Sequence, residues 1–192
     1  HFDRTQTWWE NAGADWFKYI ARGSYLLRQG VPVSDLLVFV GEGSPNSIFE
    51  RSDFEPNIPA GTNFDCVNAD VLVNRIQLKN SEMVLPEGTA YKMLVLKNSD
   101  RISLKTLNRI REISKAGVPV VGVKPSKLAG YNNSDEDIST FKKIVDEIWA
   151  SPGTYSNFDW EKIMEEEQIL SDFKISVRDD ITFMHRNVGE TD

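Results

Sequence analysis

The chain has 192 residues, 22 Lys and Arg against 29 Asp and Glu, and a formal net charge of −7. An acidic chain with no Lys/Arg cluster lacks the basic face that phosphate-backbone binding requires, which argues against a nucleic-acid partner. With 40% hydrophobic residues it can build a real core, no apolar run reaches membrane-spanning length, no signal-peptide pattern opens it, and its single cysteine, Cys66, excludes an internal disulfide and a cysteine metal cage.

Residues His1 to Glu10, HFDRTQTWWE, are dense in aromatic and hydrogen-bonding groups without a clean period. The first residue is histidine rather than methionine, which fits a mature product, a fragment or an excised domain. The spacing predicts a helix from about Ala14 to Gln29, with Trp16, Phe17, Ile20, Leu26 and Leu27 in one stripe and Gly30 and Pro32 as its stop. Asp35 to Val40 is apolar on both faces, the pattern of a central strand in a helix-covered parallel sheet. A polar turn, Gly41-Glu42-Gly43-Ser44-Pro45-Asn46, follows it. Gly43 to Asn63 is expected to be a long irregular loop, broken by Pro45, Pro56, Pro59 and Gly61.

Asp65 is the expected N-cap of a helix reaching Arg75, with Val67, Val71 and Leu72 turned inward. Ile76 to Leu85 fits a hairpin turning at Lys79-Asn80-Ser81-Glu82. A second core strand spans Lys92 to Leu96, and a third spans Val118 to Val123. Between them Ser103 caps a helix that Gly117 closes. Ser134 precedes Asp135-Glu136-Asp137, an acidic first turn suited to a helix N-terminus. Asp159 is the expected cap of a shorter helix through Glu167, and Ile181 to Met184 the expected last strand. Strands alternating with helices predict an α/β fold: a doubly wound, mostly parallel, flavodoxin-like or class I glutamine-amidotransferase-like sheet with helices on both faces.

Few motifs carry chemistry. A dinucleotide fingerprint needs a third glycine where Asn46 stands, and a phosphate-cradling P-loop needs Gly-Lys-Ser/Thr, which is absent. Glycines at 41 and 43 let the chain turn out of the sheet, and Glu42 faces a crevice if it ends a strand. A class I amidotransferase would hold its cysteine on a tight Gly-x-Cys-x-Gly elbow, whereas Cys66 lies in Asn63-Phe64-Asp65-Cys66-Val67-Asn68 and fits an inert buried thiol. His1 and His185 stand alone, so no metal-ligand spacing occurs. The best functional stretch is the N-terminal one. His1, Arg4 and Gln6 offer donors, and Trp8 and Trp9 offer flat faces suited to sugar rings or to packing on a neighbouring domain.

The run His1-Phe2-Asp3-Arg4-x-Gln6-Thr7-Trp8-Trp9 resembles a motif of glycoside hydrolase family 106, the α-L-rhamnosidase family. The likeness continues through Trp16-x-x-Tyr19-x-x-Arg22, Tyr25-Leu26-Leu27-x-Gln29-Gly30, Asp35-Leu36-x-x-Phe39-x-Gly41-Glu42, Pro59-Ala60-Gly61-x-x-x-Asp65-x-Val67-Asn68-Ala69-Asp70, Leu85-Pro86-x-Gly88 and Ala129-Gly130-Tyr131. It implies three parts: residues 1–32 as the last loop and helix of a catalytic (β/α) barrel, 33–174 as a glutamine-amidotransferase-like α/β domain, and 175–192 as the start of a β-rich segment. It implies an inverting glycosidase in which His1, Arg4, Gln6, Trp8 and Trp9 touch carbohydrate at the barrel rim. Glu42, Asp65, Asn68 and Asp70 would form a polar cluster facing that rim. No catalytic residue and no metal ligand is assigned to this chain, because the catalytic glutamates are expected upstream of His1. No cofactor is expected here, though calcium is expected in the full-length enzyme. The neighbouring barrel and β-sandwich domains would be the partners, with no membrane, and the location periplasmic or secreted. The alternative is a stand-alone, non-catalytic α/β binding or assembly module, with a flavodoxin-like redox protein as a weaker third.

Overall fold

The computed structural model describes residues 8, 12–174 and 183–189. The elements run in chain order as α1 (Ala14–Leu26), β1 (Val31–Pro32), β2 (Leu36–Phe39), β3 (Phe64–Val67), α2 (Ala69–Asn74), β4 (Gln77–Lys79) and β5 (Glu82–Val84). They continue as β6 (Ala90–Tyr91), β7 (Met93–Leu96), β8 (Arg101–Ile102), α3 (Leu104–Lys115), β9 (Val120–Gly122) and β10 (Lys127–Leu128). The last are α4 (Asp135–Trp149), β11 (Thr154–Tyr155), α5 (Trp160–Glu166) and β12 (Arg186–Asn187). The chain divides into two compact units, Val33–Phe183 and the pair of segments His1–Pro32 and Met184–Asp192.

The larger unit is built on a five-stranded sheet in the order β11-β9-β7-β2-β3, with every pair parallel. Counting only these strands, the order is 2-1-3-4-5, the doubly wound arrangement the alternating pattern predicts. Parallel strands covered on both faces must be apolar on both, and Leu36, Leu37, Val38 and Phe39 are all buried. On one face Leu37, Phe39, Leu94, Leu96 and Val120 pack against Leu72 of α2, Leu107 and Ile110 of α3, and Phe141 and Ile144 of α4. On the other, Leu36, Val38, Met93, Val95 and Val121 meet Trp160 and Ile163 of α5, with Phe54 and Ile58 from the long loop after β2.

That loop takes the place of a helix in the first crossover. Arg51 fixes it: its guanidinium donates to the carbonyls of Ile58 (2.9 Å), Pro59 (2.9 Å) and Thr62 (2.7 Å) and lies over the Phe64 ring. Its charge is met by carbonyl dipoles and a ring face, and burial pulls its pKa down. Trp160 closes the far end by donating its indole N–H to the Pro56 carbonyl at 2.9 Å.

Asp65, the expected helix N-cap, is a strand residue. It does not cap a helix. Phe64 to Val67 extends the sheet edge as β3, paired in register with Leu36 to Phe39. The helix begins one step later, and Asn68 caps it by accepting from the Val71 N–H at 2.9 Å. Ser103 and Ser134 cap α3 and α4 as expected, the latter in a capping box with Asp137. Asp159 holds the N-cap position of α5 but makes no side-chain cap bond. Of the expected final strand, Ile181 and Thr182 lie outside the described residues, while Phe183 and Met184 are not in a strand.

In the smaller unit, α1 ends at Leu26, three residues short of the expected Gln29. The final turn tightens, with Arg28 N–H donating to Tyr25 and Gln29 N–H to Leu26. β1 pairs antiparallel with β12, and the Arg186 guanidinium donates to the carbonyls of Gln29 and Gly30. Gly30 has φ +60°, and a Cβ there would lie 1.9 Å from the Asn187 carbonyl oxygen, so only glycine fits this crossing.

Candidate functional site

In a sheet of this order the crevice for ligands lies beyond the C-terminal ends of the strands, where successive crossovers leave in opposite directions. Here that point is between β2 and β7. The turn after β2 approaches the turn after β7 so closely that a Cβ on Gly41, at φ +87°, would lie 2.5 Å from the Asn98 carbonyl oxygen. The Asn46 amide donates to the Gly41 carbonyl at 3.0 Å and holds the turn's far side.

Glu42 sits at this point with its carboxylate satisfied from within. It accepts from the Ser103 backbone N–H (2.6 Å), the Ser103 hydroxyl (2.8 Å) and the Thr106 hydroxyl (2.7 Å). All three donors belong to the first turn of α3 or its cap, where a carboxylate also meets the positive end of the helix dipole. The geometry makes Glu42 a tie between β2 and α3, with both oxygens engaged.

Beside it Gly43, Leu96, Lys97, Asn98, Ser99, Asp100, Arg101 and Val123 line a cleft of about 360 Å³. Asp100 is turned outward, accepting from the Ser126 hydroxyl at 2.5 Å and facing the Lys127 ammonium at 3.3 Å. The Ser126 bond, then Lys127, holds its carboxyl below the usual range. The Lys97 ammonium lies 5.1 Å from the centroid of Phe54.

Asp65, on β3, accepts from the Tyr91 hydroxyl at 3.0 Å. Burial first, then the Asp65 charge, pushes the Tyr91 phenol well above its ordinary value. Asn68 is the cap of α2, and Asp70, in that helix's first turn, accepts from the Asn74 amide at 2.7 Å. Among the described residues no hydrogen bond joins any two of Glu42, Asp65, Asn68 and Asp70. The Cys66 thiol lies on the sheet edge and accepts from the Phe49 N–H at 3.4 Å; burial raises its pKa, which suppresses the thiolate. Trp8 stacks on Phe17 at 6.1 Å between centroids. His1, Arg4, Gln6 and Trp9 lie outside the described residues. Among the described residues no group of three or more His, Cys, Asp or Glu is placed to hold a metal ion. No described helix is long and apolar enough to cross a membrane.

Fold and crevice together define a doubly wound α/β domain with a polar switch point. The family model described as α-L-rhamnosidase, glycoside hydrolase family 106, matches residues 1–192, and the chain belongs to that family. It is 34% identical over 196 residues to a putative beta-glucuronidase of Formosa agariphila, covering 100% of this chain and 16% of that protein. It superposes on the structure of a rhamnosidase from Novosphingobium sp. PP1Y with a TM-score of 0.84 at 26% identity, covering 98% of this chain and 19% of that one. The chain therefore spans under a fifth of each relative's length.

The cleft residues Lys97, Ser99 and Arg101 escape sequence reasoning. Their one signal is position: they follow the second core strand, at the switch point that the strand order creates.

Proposed function

We propose that the chain is the scaffold and interface portion of a longer glycosidase that hydrolyses terminal α-L-rhamnosyl linkages in polysaccharides. The observation that carries this is the family match along the whole chain by a segment spanning only 16–19% of its relatives. The catalytic carboxylates lie elsewhere in the protein on this proposal. Glu42, in the turn that follows β2 at the switch point, supports it, because both of its oxygens are consumed by α3. His1, Arg4, Gln6, Trp8 and Trp9 contact carbohydrate in the whole enzyme, and the Glu42 and Asp65–Asp70 segments face the neighbouring barrel. A helix built like α1 favours such a neighbour: none of its residues is buried, and Tyr19 and Leu26 are each more than 60% exposed.

The amidotransferase-like sheet carries no amidotransfer on this proposal, since Cys66 lies within a strand with a raised pKa rather than on an elbow. A polymeric substrate places the enzyme in the periplasm or outside the cell. The test compares the whole protein with the 192-residue chain on an aryl α-L-rhamnoside. The whole protein is expected to release the aryl alcohol and the chain to release none; turnover by the chain alone overturns the assignment.

A further inference from the structure

We propose that the cleft at the C-terminal ends of β2, β7 and β9 binds the carboxylate-bearing ring of an acidic saccharide. The saccharide rests on the glycosidase assignment above; the charge and hydrogen-bonding argument does not. The two cations of the cleft, Lys97 and Arg101, have no carboxylate within ion-pair distance among the described residues. Lys97 is steadied on the Phe54 ring rather than neutralised. The two nearby carboxylates are already engaged: Asp100 by Ser126 and Lys127, Glu42 by Ser103 and Thr106.

Ser99 supplies an independent sign. It is 4% exposed, and its hydroxyl has no hydrogen-bond partner. Native proteins rarely leave a buried hydroxyl unpaired, and rotation of the Ser99 side chain into the cleft that it lines would give this one a ligand oxygen. Val123, 65% exposed, is the apolar side chain that the lining presents, since Leu96 is 1% exposed and belongs to the core. A pyranose fits this division, its C–H face on Val123 and its carboxylate on Lys97 and Arg101. An inorganic anion leaves the aliphatic side unused. A nucleotide phosphate wants a helix N-terminus after the glycine turn, where this chain has Ser44 and Pro45.

The test titrates the isotope-labelled 192-residue chain with glucuronate, glucose and sulfate at matched ionic strength and follows backbone amide shifts. Glucuronate is expected to shift Gly43, the Lys97–Arg101 amides and Val123 saturably, with roughly millimolar affinity because exposed ion pairs contribute little. Arg101→Ala is expected to weaken this roughly fivefold while leaving the amide spectrum otherwise dispersed. Ser99→Ala is expected to weaken it too, with the urea midpoint unchanged or raised, since the hydroxyl it removes has no protein partner. Absence of saturation with glucuronate, or equal shifts with glucose or with sulfate, overturns the proposal. A failed titration beside an active whole protein overturns the cleft alone. Saturation beside an inactive whole protein supports the cleft and removes the glycosidase assignment.

Discussion

Tyr91 shows how one residue couples the sheet to solution conditions. Its ring is buried in the main core and its hydroxyl donates to Asp65, so the phenolate would be both desolvated and beside a negative charge. The folded state therefore holds the phenolic proton at a pH where the unfolded chain has released it. A raised folded pKa gives stability that is complete below the unfolded value, about 10, and is lost as pH climbs towards the folded value. Tyr155, which donates to Glu167 at 2.5 Å, is raised in the same sense, chiefly by burial. Unfolding free energy is expected to fall above about pH 10, and Tyr91→Phe to make that fall shallower. Urea titrations on the alkaline side, with phenolate absorbance followed in parallel, check this; an unchanged slope in the variant would remove Tyr91 from the account.

At the scale of elements, the first helix after the sheet edge is the informative case. An N-cap substitution of Asn by Ala costs about 1 kcal/mol, and Ser or Asp restores most of it. Asn68→Ala is therefore expected to lower stability by about that amount and Asn68→Ser to recover it, measured by urea denaturation. A neutral Asn68→Ala would mean that the Val71 N–H finds another acceptor. The same stretch shows what a sequence discloses. β2, β7 and β9 are legible because strands covered on both faces must be continuously apolar. β3 is an edge strand, so it tolerates an exposed Asp65 in its middle, and Phe64-Asp65-Cys66-Val67 then looks like the approach to a helix. Two-residue strands such as β8, β10 and β11 carry too little pattern to register. Ser103 and Ser134 were legible because caps are local, with the serine and the amide it bonds three residues apart. The partners of Glu42 lie 61 and 64 residues away and depend on the strand order, which no local spacing encodes.

For the molecule as a whole, α1 sets how the isolated chain behaves. Trp16, Phe17, Ile20, Leu26 and Leu27 form the apolar stripe that the sequence predicts, yet all are exposed. A stripe of large side chains on an amphipathic helix has a strong drive to leave water, about 1.5–3 kcal/mol for each one fully covered. On the proposed function a neighbouring segment of the longer protein covers it, and in the 192-residue chain a second copy can do so. The chain is expected to self-associate with rising concentration, as read by sedimentation. Replacing Ile20 and Leu26 together by lysine is expected to weaken that association at least tenfold, a loss of about 1.4 kcal/mol or more. Because α1 has no buried residue, the same pair is expected to leave the urea midpoint of the sheet domain unchanged. A chain that stays monomeric at every concentration, or a variant whose midpoint drops, would show that the stripe is packed within the chain and needs no partner.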